Sequence, residues 1–183
     1  MLMKNLLTIA VAALALVMSS CMSENQKALL GTWDRVIDDS CHVEYTFNDD
    51  GTFTSTAYYI DDFNEKLDDV GTTVKLRASY HYNLQGTYSF VIGVAELTYN
   101  NDKITGAVDD LELADPENTP EKVAAFFNDE MKNDKQYRDD LQKAVDENQG
   151  IREGNRETFT DVKIEGNTLT GKHDKEPFTM TRK

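Results

Sequence analysis

The sequence predicts a mainly β fold, an antiparallel up-and-down β-barrel, and two observations carry this prediction. Within residues 73–82, apolar residues alternate with polar ones, as they do in a strand that buries one face. Short segments of this kind follow one another and are separated by turn-forming residues, as at 48–51 and 165–167. A series of hairpins closes into a barrel or a sandwich because closure leaves no exposed sheet edge.

The individual strands are predicted from the same alternation. The first contains Trp33, and Tyr88 and Phe90 also fall in predicted strands. The others lie at 43–47, 52–60, 73–82, 96–99, 103–108, 160–164, 168–171 and 177–183. The length after the N-terminal segment suits one domain.

One segment, at about 115–152, breaks the alternation and is predicted as an inserted helical hairpin. Thr119 and Pro120 form a typical cap and first-turn pair, and Asn133 or Asp134 would cap a second helix. The apolar positions of each helix share one face: Val123, Phe126, Phe127 and Met131, then Tyr137, Leu141, Ala144 and Val145. The hairpin is either a lid or partner-binding surface over the barrel mouth, or a decoration packed on the outer barrel wall.

The N-terminus is predicted to be a cleaved export signal. Lys4 precedes an apolar run at 6–17 that is too short to span a bilayer. The Ser-Ser-Cys at 19–21 resembles the lipobox of bacterial lipoproteins, in which the cysteine is acylated and becomes the first residue. The predicted division is a lipoprotein signal peptide at 1–20, a lipidated tether at 21–29 and a barrel domain at 30–183; the alternative is an ordinary cleaved signal.

The resemblance to lipoproteins implies a place in the bacterial cell envelope, anchored to the membrane through lipid on Cys21. Acyl chains hold a domain at a bilayer without a spanning helix, because each buried methylene contributes about 0.8 kcal/mol. Met22 stands where an aspartate would favour retention at the inner membrane, so the outer membrane is expected.

The composition is strongly acidic, with 19 lysines and arginines against 33 aspartates and glutamates. Such a surface repels the phosphates of nucleic acid, so no nucleic-acid partner is expected. Acidic residues concentrate at 61–69 and at 109–117, and we predict solvated loops there. Their spacing does not match an EF-hand loop, so no calcium site is predicted.

No recognisable catalytic or metal-binding motif is present in the sequence. The chain has no Gly-x-Ser-x-Gly turn, no His-Glu-x-x-His helix, no phosphate-binding glycine loop and no dinucleotide fingerprint. Cys41 and His42 are adjacent, but neighbours in a strand point to opposite faces. We therefore expect no enzyme, no catalytic residue, no metal ligand and no cofactor.

The only tryptophan, Trp33, and an arginine near the C-terminus are predicted to meet. Alternation places Arg182 on the same side of the last strand as Phe178 and Met180. An arginine that faces an apolar interior needs a partner, and the face of an indole can take a guanidinium. We expect Arg182 to lie against Trp33.

These residues also carry a resemblance to a known family. Gly31-Thr32-Trp33, the late arginine and the stretches at 47–53, 86–88 and 164–169 resemble the lipocalin-like (calycin-like) domains of bacterial surface lipoproteins. The resemblance implies that Trp33 lies across the closed end of the barrel with Arg182 packed over it. It also implies a barrel that holds one small, mostly apolar molecule. The resemblance covers about 30–110 and 156–183 and departs from the family at the inserted segment.

Two functions follow as hypotheses. The first is a tethered barrel that binds a small apolar or amphipathic molecule, because strand aromatics suit a pocket lining. The residues predicted to line it are Tyr45, Phe47, Tyr59, Leu76, Tyr80, Tyr88 and Phe90. The second is a protein–protein interaction module with a filled barrel, in which the acidic helical insertion meets another envelope protein.

Overall fold

The computed structural model describes residues 24–147 and 156–183. The predicted signal peptide, Cys21 and the start of the predicted tether lie outside the described residues, as does the end of the predicted helical insertion. Within the described ranges, no helix is long and apolar enough to cross a membrane.

The described chain forms nine strands, three α-helices and two short irregular turns of helix. The strands are β1 (Gly31–Asp38), β2 (Cys41–Phe47), β3 (Thr52–Leu67), β4 (Thr72–Val91), β5 (Val94–Tyr99), β6 (Thr105–Leu113), β7 (Arg156–Glu165), β8 (Thr168–His173) and β9 (Glu176–Arg182). The helices are α1 (Glu24–Leu29), α2 (Glu121–Phe126) and α3 (Lys135–Glu147), with a 3₁₀ turn at Asn101–Lys103 and a π-helical turn at Phe127–Met131.

Eight strands form a closed antiparallel barrel. Each of β1 to β4 pairs with the next strand, β5 pairs with β7, and β7, β8 and β9 follow in order. Closure comes from β9, which pairs with β1 through Trp33 with Arg182 and Asp34 with Thr181. The prediction of a mainly β, antiparallel, up-and-down barrel is confirmed.

The two ends of the barrel differ in what they carry. The tryptophan end, as we name it, holds the start of β1, the end of β9 and the turns at 48–51, 92–93 and 166–167. The opposite, insertion end holds the turns at 39–40 and 174–175 and the chain that leaves β5 for β6 and the helices. Large side chains fill the interior, among them Trp33, Tyr45, Phe47, Phe53, Phe90, Leu97, Phe159, Leu169, Phe178 and Met180.

Strands β3 and β4 continue past the barrel as a long hairpin. Residues 60–67 of β3 pair with 72–79 of β4, and β6 pairs with β4 over 76–83. Side chains alternate along an unbroken strand, so one face of this three-stranded extension continues the barrel interior. The helices pack on that face and bury a second core, formed by Leu67, Val74, Leu76, Ala78, Leu111, Leu113, Val123, Phe127 and Met131. Packing on the outer barrel wall, one of the two expectations, is therefore wrong.

The acidic segments predicted as loops are mostly strand. Asp61, Asp62 and Glu65 belong to β3, and Asp109, Asp110 and Glu112 belong to β6. Acidic residues on the solvent face of a strand pair across it with basic ones: the Arg77 guanidinium of β4 lies between Asp62, at 2.8 Å, and Glu112, at 3.9 Å. Hydrogen bonds from Arg77 and Lys75 lower the pKa of Asp62 to about 2.

The predicted helix starts are right at one helix and wrong at the other. The Asp134 carboxylate accepts a hydrogen bond from the Tyr137 backbone at 2.7 Å and so caps the segment that enters α3. Thr119 does not cap α2, because its hydroxyl donates to the Asp115 carbonyl at 2.6 Å. Pro120 occupies the cap position without a side-chain hydrogen bond.

Strands β4 and β5 approach each other so closely at Gly86 that no side chain fits there. A Cβ atom there would lie 2.0 Å from the Thr98 carbonyl oxygen and 2.9 Å from the Phe53 ring. We expect Gly86→Ala to lower the free energy of unfolding by about 1–3 kcal/mol, because β4 and β5 must separate to admit the methyl group. Urea unfolding measures the loss. The exposed Ser89→Ala on the same strand is the control, and equal stability of the two variants would contradict the pairing.

Candidate functional site

The tryptophan end is closed by contacts around Trp33, which is completely buried. The Arg182 guanidinium lies 4.3 Å from the centre of the indole ring. The same guanidinium donates hydrogen bonds to the carbonyls of Leu30, at 2.5 Å, and Ala28, at 2.6 Å, while the indole N–H donates to the Leu29 carbonyl at 2.6 Å. Arg182 and Trp33 thus hold the end of α1 against the barrel, and the indole is enclosed by the protein.

A group of polar side chains lies inside the barrel toward the insertion end. We name Arg35, Tyr45, Tyr99, Glu157 and His173 the interior polar cluster. They come from five strands, β1, β2, β5, β7 and β8, and each occupies an inward position of its strand. The cluster therefore exists only because the barrel closes.

Glu157 is the centre of the interior polar cluster. Its carboxylate accepts hydrogen bonds from the hydroxyls of Tyr99 and Tyr45, the latter at 3.4 Å. His173 Nε2 lies 3.3 Å from Glu157 Oε1, and Arg35 Nη1 lies 3.8 Å from it. A buried carboxylate needs such partners, because an unpaired charge in an apolar interior is strongly destabilising.

The Arg35 guanidinium is enclosed but loosely bonded. It lies 4.9 Å from the centre of the Phe178 ring and 5.9 Å from that of Phe159. Its nitrogens lie 3.4 Å from His173 Nδ1 and 3.8 Å from Glu157, longer than an ordinary N–H to O bond of about 2.9 Å. A guanidinium has five N–H donors, so Arg35 keeps the capacity to bind a further acceptor.

Burial also keeps the Tyr45 hydroxyl of the cluster protonated. Removal from water, and then the negative charge of Glu157, raise the pKa of Tyr45 well above its usual value. Tyr45 is therefore a neutral hydrogen-bond donor at physiological pH. The cluster presents one permanent cation, one carboxylate, one imidazole and two phenols, which can donate to and accept from the same bound molecule.

The residues predicted to line a ligand fall into three places. Tyr45, Phe47 and Phe90 are buried in the barrel core, and Tyr88, half-buried, donates to the Asn48 carbonyl near the tryptophan end at 2.8 Å. Tyr59 and Tyr80 stack near the insertion end with ring centres 5.4 Å apart. Leu76 lies in the second core beneath the helices and does not join the others.

Sequence reasoning did not select Arg35, Glu157, His173 or Tyr99. A signal for Arg35 was present, because alternation from Trp33 along β1 places Arg35 on the same inward face. The alternation around Phe159 and Leu169 marks Glu157 and His173 in the same way. The contact between Arg35 and His173 could not be predicted from the sequence, because the two residues are 138 positions apart in the chain.

A groove on the outside of the barrel is a weaker candidate. It has a volume of about 500 Å³ and opens where the neighbour of β4 changes from β5 to β6. Its lining includes Thr54, Thr56, Asn83, Gln85, Lys103 and Thr105. Most of its lining side chains are polar but uncharged, and the charged groups of the interior polar cluster lie on the other side of the sheet.

Comparison of the chain with protein-family models, with curated proteins and with solved structures found no match.

Arg182→Met should destabilise the protein. The change removes the guanidinium from the indole face and leaves the carbonyls of Ala28 and Leu30 without their donor, so a loss of about 2 kcal/mol is expected. Urea unfolding followed by the fluorescence of Trp33 measures it. Arg77→Met is the matched control, because Arg77 makes exposed ion pairs that contribute little. A loss no larger than that of the control would contradict the closing role of Arg182.

Alkaline pH should destabilise the protein partly through Tyr45. The folded chain favours the neutral phenol, so its contribution is complete below about pH 10, the unfolded value, and is lost as the pH rises toward the higher folded pKa. We expect the free energy of unfolding to fall as the pH rises above about 10, and to fall less in Tyr45→Phe. Urea titrations at each pH measure both. A constant difference between the two proteins across that range would contradict this role.

Proposed function

We propose that this protein is a lipoprotein of the bacterial cell envelope whose lipocalin-like barrel binds a small amphipathic molecule at its insertion end. Lipid on Cys21 would anchor it, in the outer membrane. The observation that carries the proposal is the interior polar cluster, a set of ionisable side chains inside an otherwise apolar barrel. We propose binding, with no catalytic step.

A barrel that served only as a filled scaffold would not need charged side chains at these positions. Replacing a buried ion pair by well-packed apolar residues is often neutral or stabilising, because desolvation offsets the attraction of the charges. The interior polar cluster keeps its charges, and the contacts that Arg35 and Tyr45 make within it are longer than ordinary hydrogen bonds. These features favour a site that exchanges its internal contacts for contacts to a ligand.

The cluster is also within reach of solvent. The side chains of Arg35, Glu157 and His173 keep 12%, 7% and 15% of their surface exposed. The tryptophan end is filled and closed by α1, whereas these residues lie toward the insertion end. A ligand would therefore enter from the insertion end.

The chemistry of the cluster specifies the polar group of the ligand. Arg35 offers N–H donors, and Glu157 offers acceptors. A group that both accepts and donates, such as a hydroxyl, a carboxylic acid or an amide, would satisfy both. The stacked rings of Tyr59 and Tyr80, toward the same end, would contact the apolar part. The expected ligand is thus amphipathic.

The lipocalin-like identity is part of the proposal and is supported by two features. The strands follow one another around the barrel in chain order apart from β6, and the late Arg182 covers Trp33 at one end. The helical insertion is the difference from that family, and we propose that it shapes the rim of the binding site. The Tyr82 hydroxyl, which donates to the Val145 carbonyl of α3 at 3.0 Å, joins the barrel to this segment.

A second candidate function is a protein–protein interaction through the helices. The observation in its favour is their exposed acidic surface, which includes Asp129, Glu130, Asp139, Asp140 and Glu147. A partner would be a basic face of another envelope protein. The filled tryptophan end of the barrel is compatible with this function, because no ligand volume is needed there.

Native mass spectrometry tests the binding function. The full chain, purified in a mild detergent, is incubated with a lipid and metabolite extract of its own cells, and the retained mass is measured. We expect one discrete small-molecule adduct that Arg35→Met abolishes and the surface variant Arg77→Met retains. An adduct that survives in Arg35→Met, or no adduct from any extract, would contradict binding at the cluster.

The second candidate is tested by charge reversal. Glu130→Lys combined with Asp140→Lys changes the charge of the helical surface without touching the second core. Under the interaction function, co-purification of an envelope partner is lost in this double variant, while Arg35→Met retains it. Unchanged co-purification in the double variant would contradict a role for this surface.

A further inference from the structure

Three side chains with metal-ligating atoms converge on the outer face of β1 and β2. They are Asp34, His42 and Glu44, and one ligand atom from each lies within 4.8 Å of the others. Asp34 is directly opposite Glu44 in the pairing of the two strands, and His42 precedes Glu44 by two residues on the same face. All three are half-buried. Two strands of the closed barrel hold them, so their spacing is rigid.

Asp34 carries the observation that points to a ligand. Its Oδ1 atom is buried, and within the described part of the chain it has no hydrogen-bond partner. A buried carboxylate oxygen without a partner is unfavourable, because it has lost its hydrogen bonds to water and accepts none from the protein. A cation bound between Asp34, His42 and Glu44 would provide the missing contact.

The surroundings of the three residues favour a cation. The ammonium of Lys183 forms an ion pair with Glu44. The ring of Tyr58 stacks on His42 with centres 4.4 Å apart and holds the imidazole in place. Lys183 thus supplies positive charge to this face through a flexible side chain that is half-exposed and can move away.

We propose that Asp34, His42 and Glu44 form a binding site for a divalent transition-metal ion of the zinc class. One imidazole and two carboxylates suit such an ion, and three protein ligands leave a fourth position for water. Ligand bonds of about 2.1 Å place two ligand atoms about 3.4 Å apart, so small side-chain rotations bring the three atoms together. The ion replaces the Lys183 ammonium at Glu44. The proposal differs from the expectation, drawn from the sequence, that the chain has no metal ligand.

Lys183 and the metal ion compete for the same carboxylate, and this competition distinguishes the site from an incidental cluster of charges. Removing a ligand weakens metal binding, whereas removing Lys183 strengthens it. A nonspecific attraction of cations to an acidic surface would change little on any single substitution. The site is separate from the interior polar cluster, which lies on the other side of the barrel wall, so failure of either proposal leaves the other intact.

Calorimetric titration of the metal-free full chain with ZnCl₂, in a mild detergent, tests the proposal. We expect one zinc ion per chain at this site. Asp34→Asn and His42→Gln should each weaken its binding at least tenfold, and Lys183→Gln should strengthen it several-fold. Titration with CoCl₂, followed by visible absorption, gives a second readout that depends on direct coordination. Urea unfolding followed by Trp33 fluorescence verifies that each variant is folded.

Two control variants address other sources of zinc binding. His81 lies 2.8 Å from Asp109 on another outer face, and His81→Gln should leave the affinity unchanged. Cys41 neighbours His42 in sequence but points to the opposite face, and Cys41→Ser should also leave the affinity unchanged. Absence of zinc binding, binding that Asp34→Asn and His42→Gln do not weaken, or binding that Lys183→Gln does not strengthen would overturn the proposal.

Discussion

The stacking of Arg182 on Trp33 is the interaction on which the rest of the barrel depends. The first and last strands pair through only two residue positions in the described structure, Trp33 with Arg182 and Asp34 with Thr181. So short a ladder provides few backbone hydrogen bonds, and side chains must supply the remaining stabilisation. Arg182 supplies this stabilisation through three contacts, because its guanidinium stacks on the indole and donates hydrogen bonds to two carbonyls at the end of α1. Closure places the inward side chains of the eight strands in one interior.

The barrel interior is apolar at one end and polar toward the other, and this division follows from the closure. Near Trp33 the interior is filled by large side chains that exclude water. Toward the insertion end, Arg35 and His173 surround Glu157 at distances of 3.3 to 3.8 Å. The same strands carry side chains of both parts of the interior. The rigid, filled tryptophan end thus positions the interior polar cluster, in which Arg35 makes only long contacts. A binding site requires such a rigid support for its polar groups.

The long hairpin of β3 and β4 connects the barrel to the helices. Because its inner face continues the barrel interior, Tyr82 contacts the Tyr59 ring of the barrel and the Val145 carbonyl of α3, while Leu76, six residues earlier on β4, lies in the second core. The second core therefore begins where the barrel ends. The outer faces of the strands carry acidic residues in cross-strand pairs, such as Asp62 and Glu112 with Arg77. These pairs allow acidic residues to lie within long strands.

The sequence alone determined the barrel class and the inward faces at Trp33 and Arg182. These properties depend on alternation and on short-range signals, which a single strand or helix expresses without its neighbours. The tertiary structure decided the rest. Acidic residues such as Asp62 look like loop residues until β4 provides a paired partner. Glu157 and His173 join Arg35 only after the barrel closes, because periodicity assigns a side chain to a face and says nothing about which residues of other strands share it.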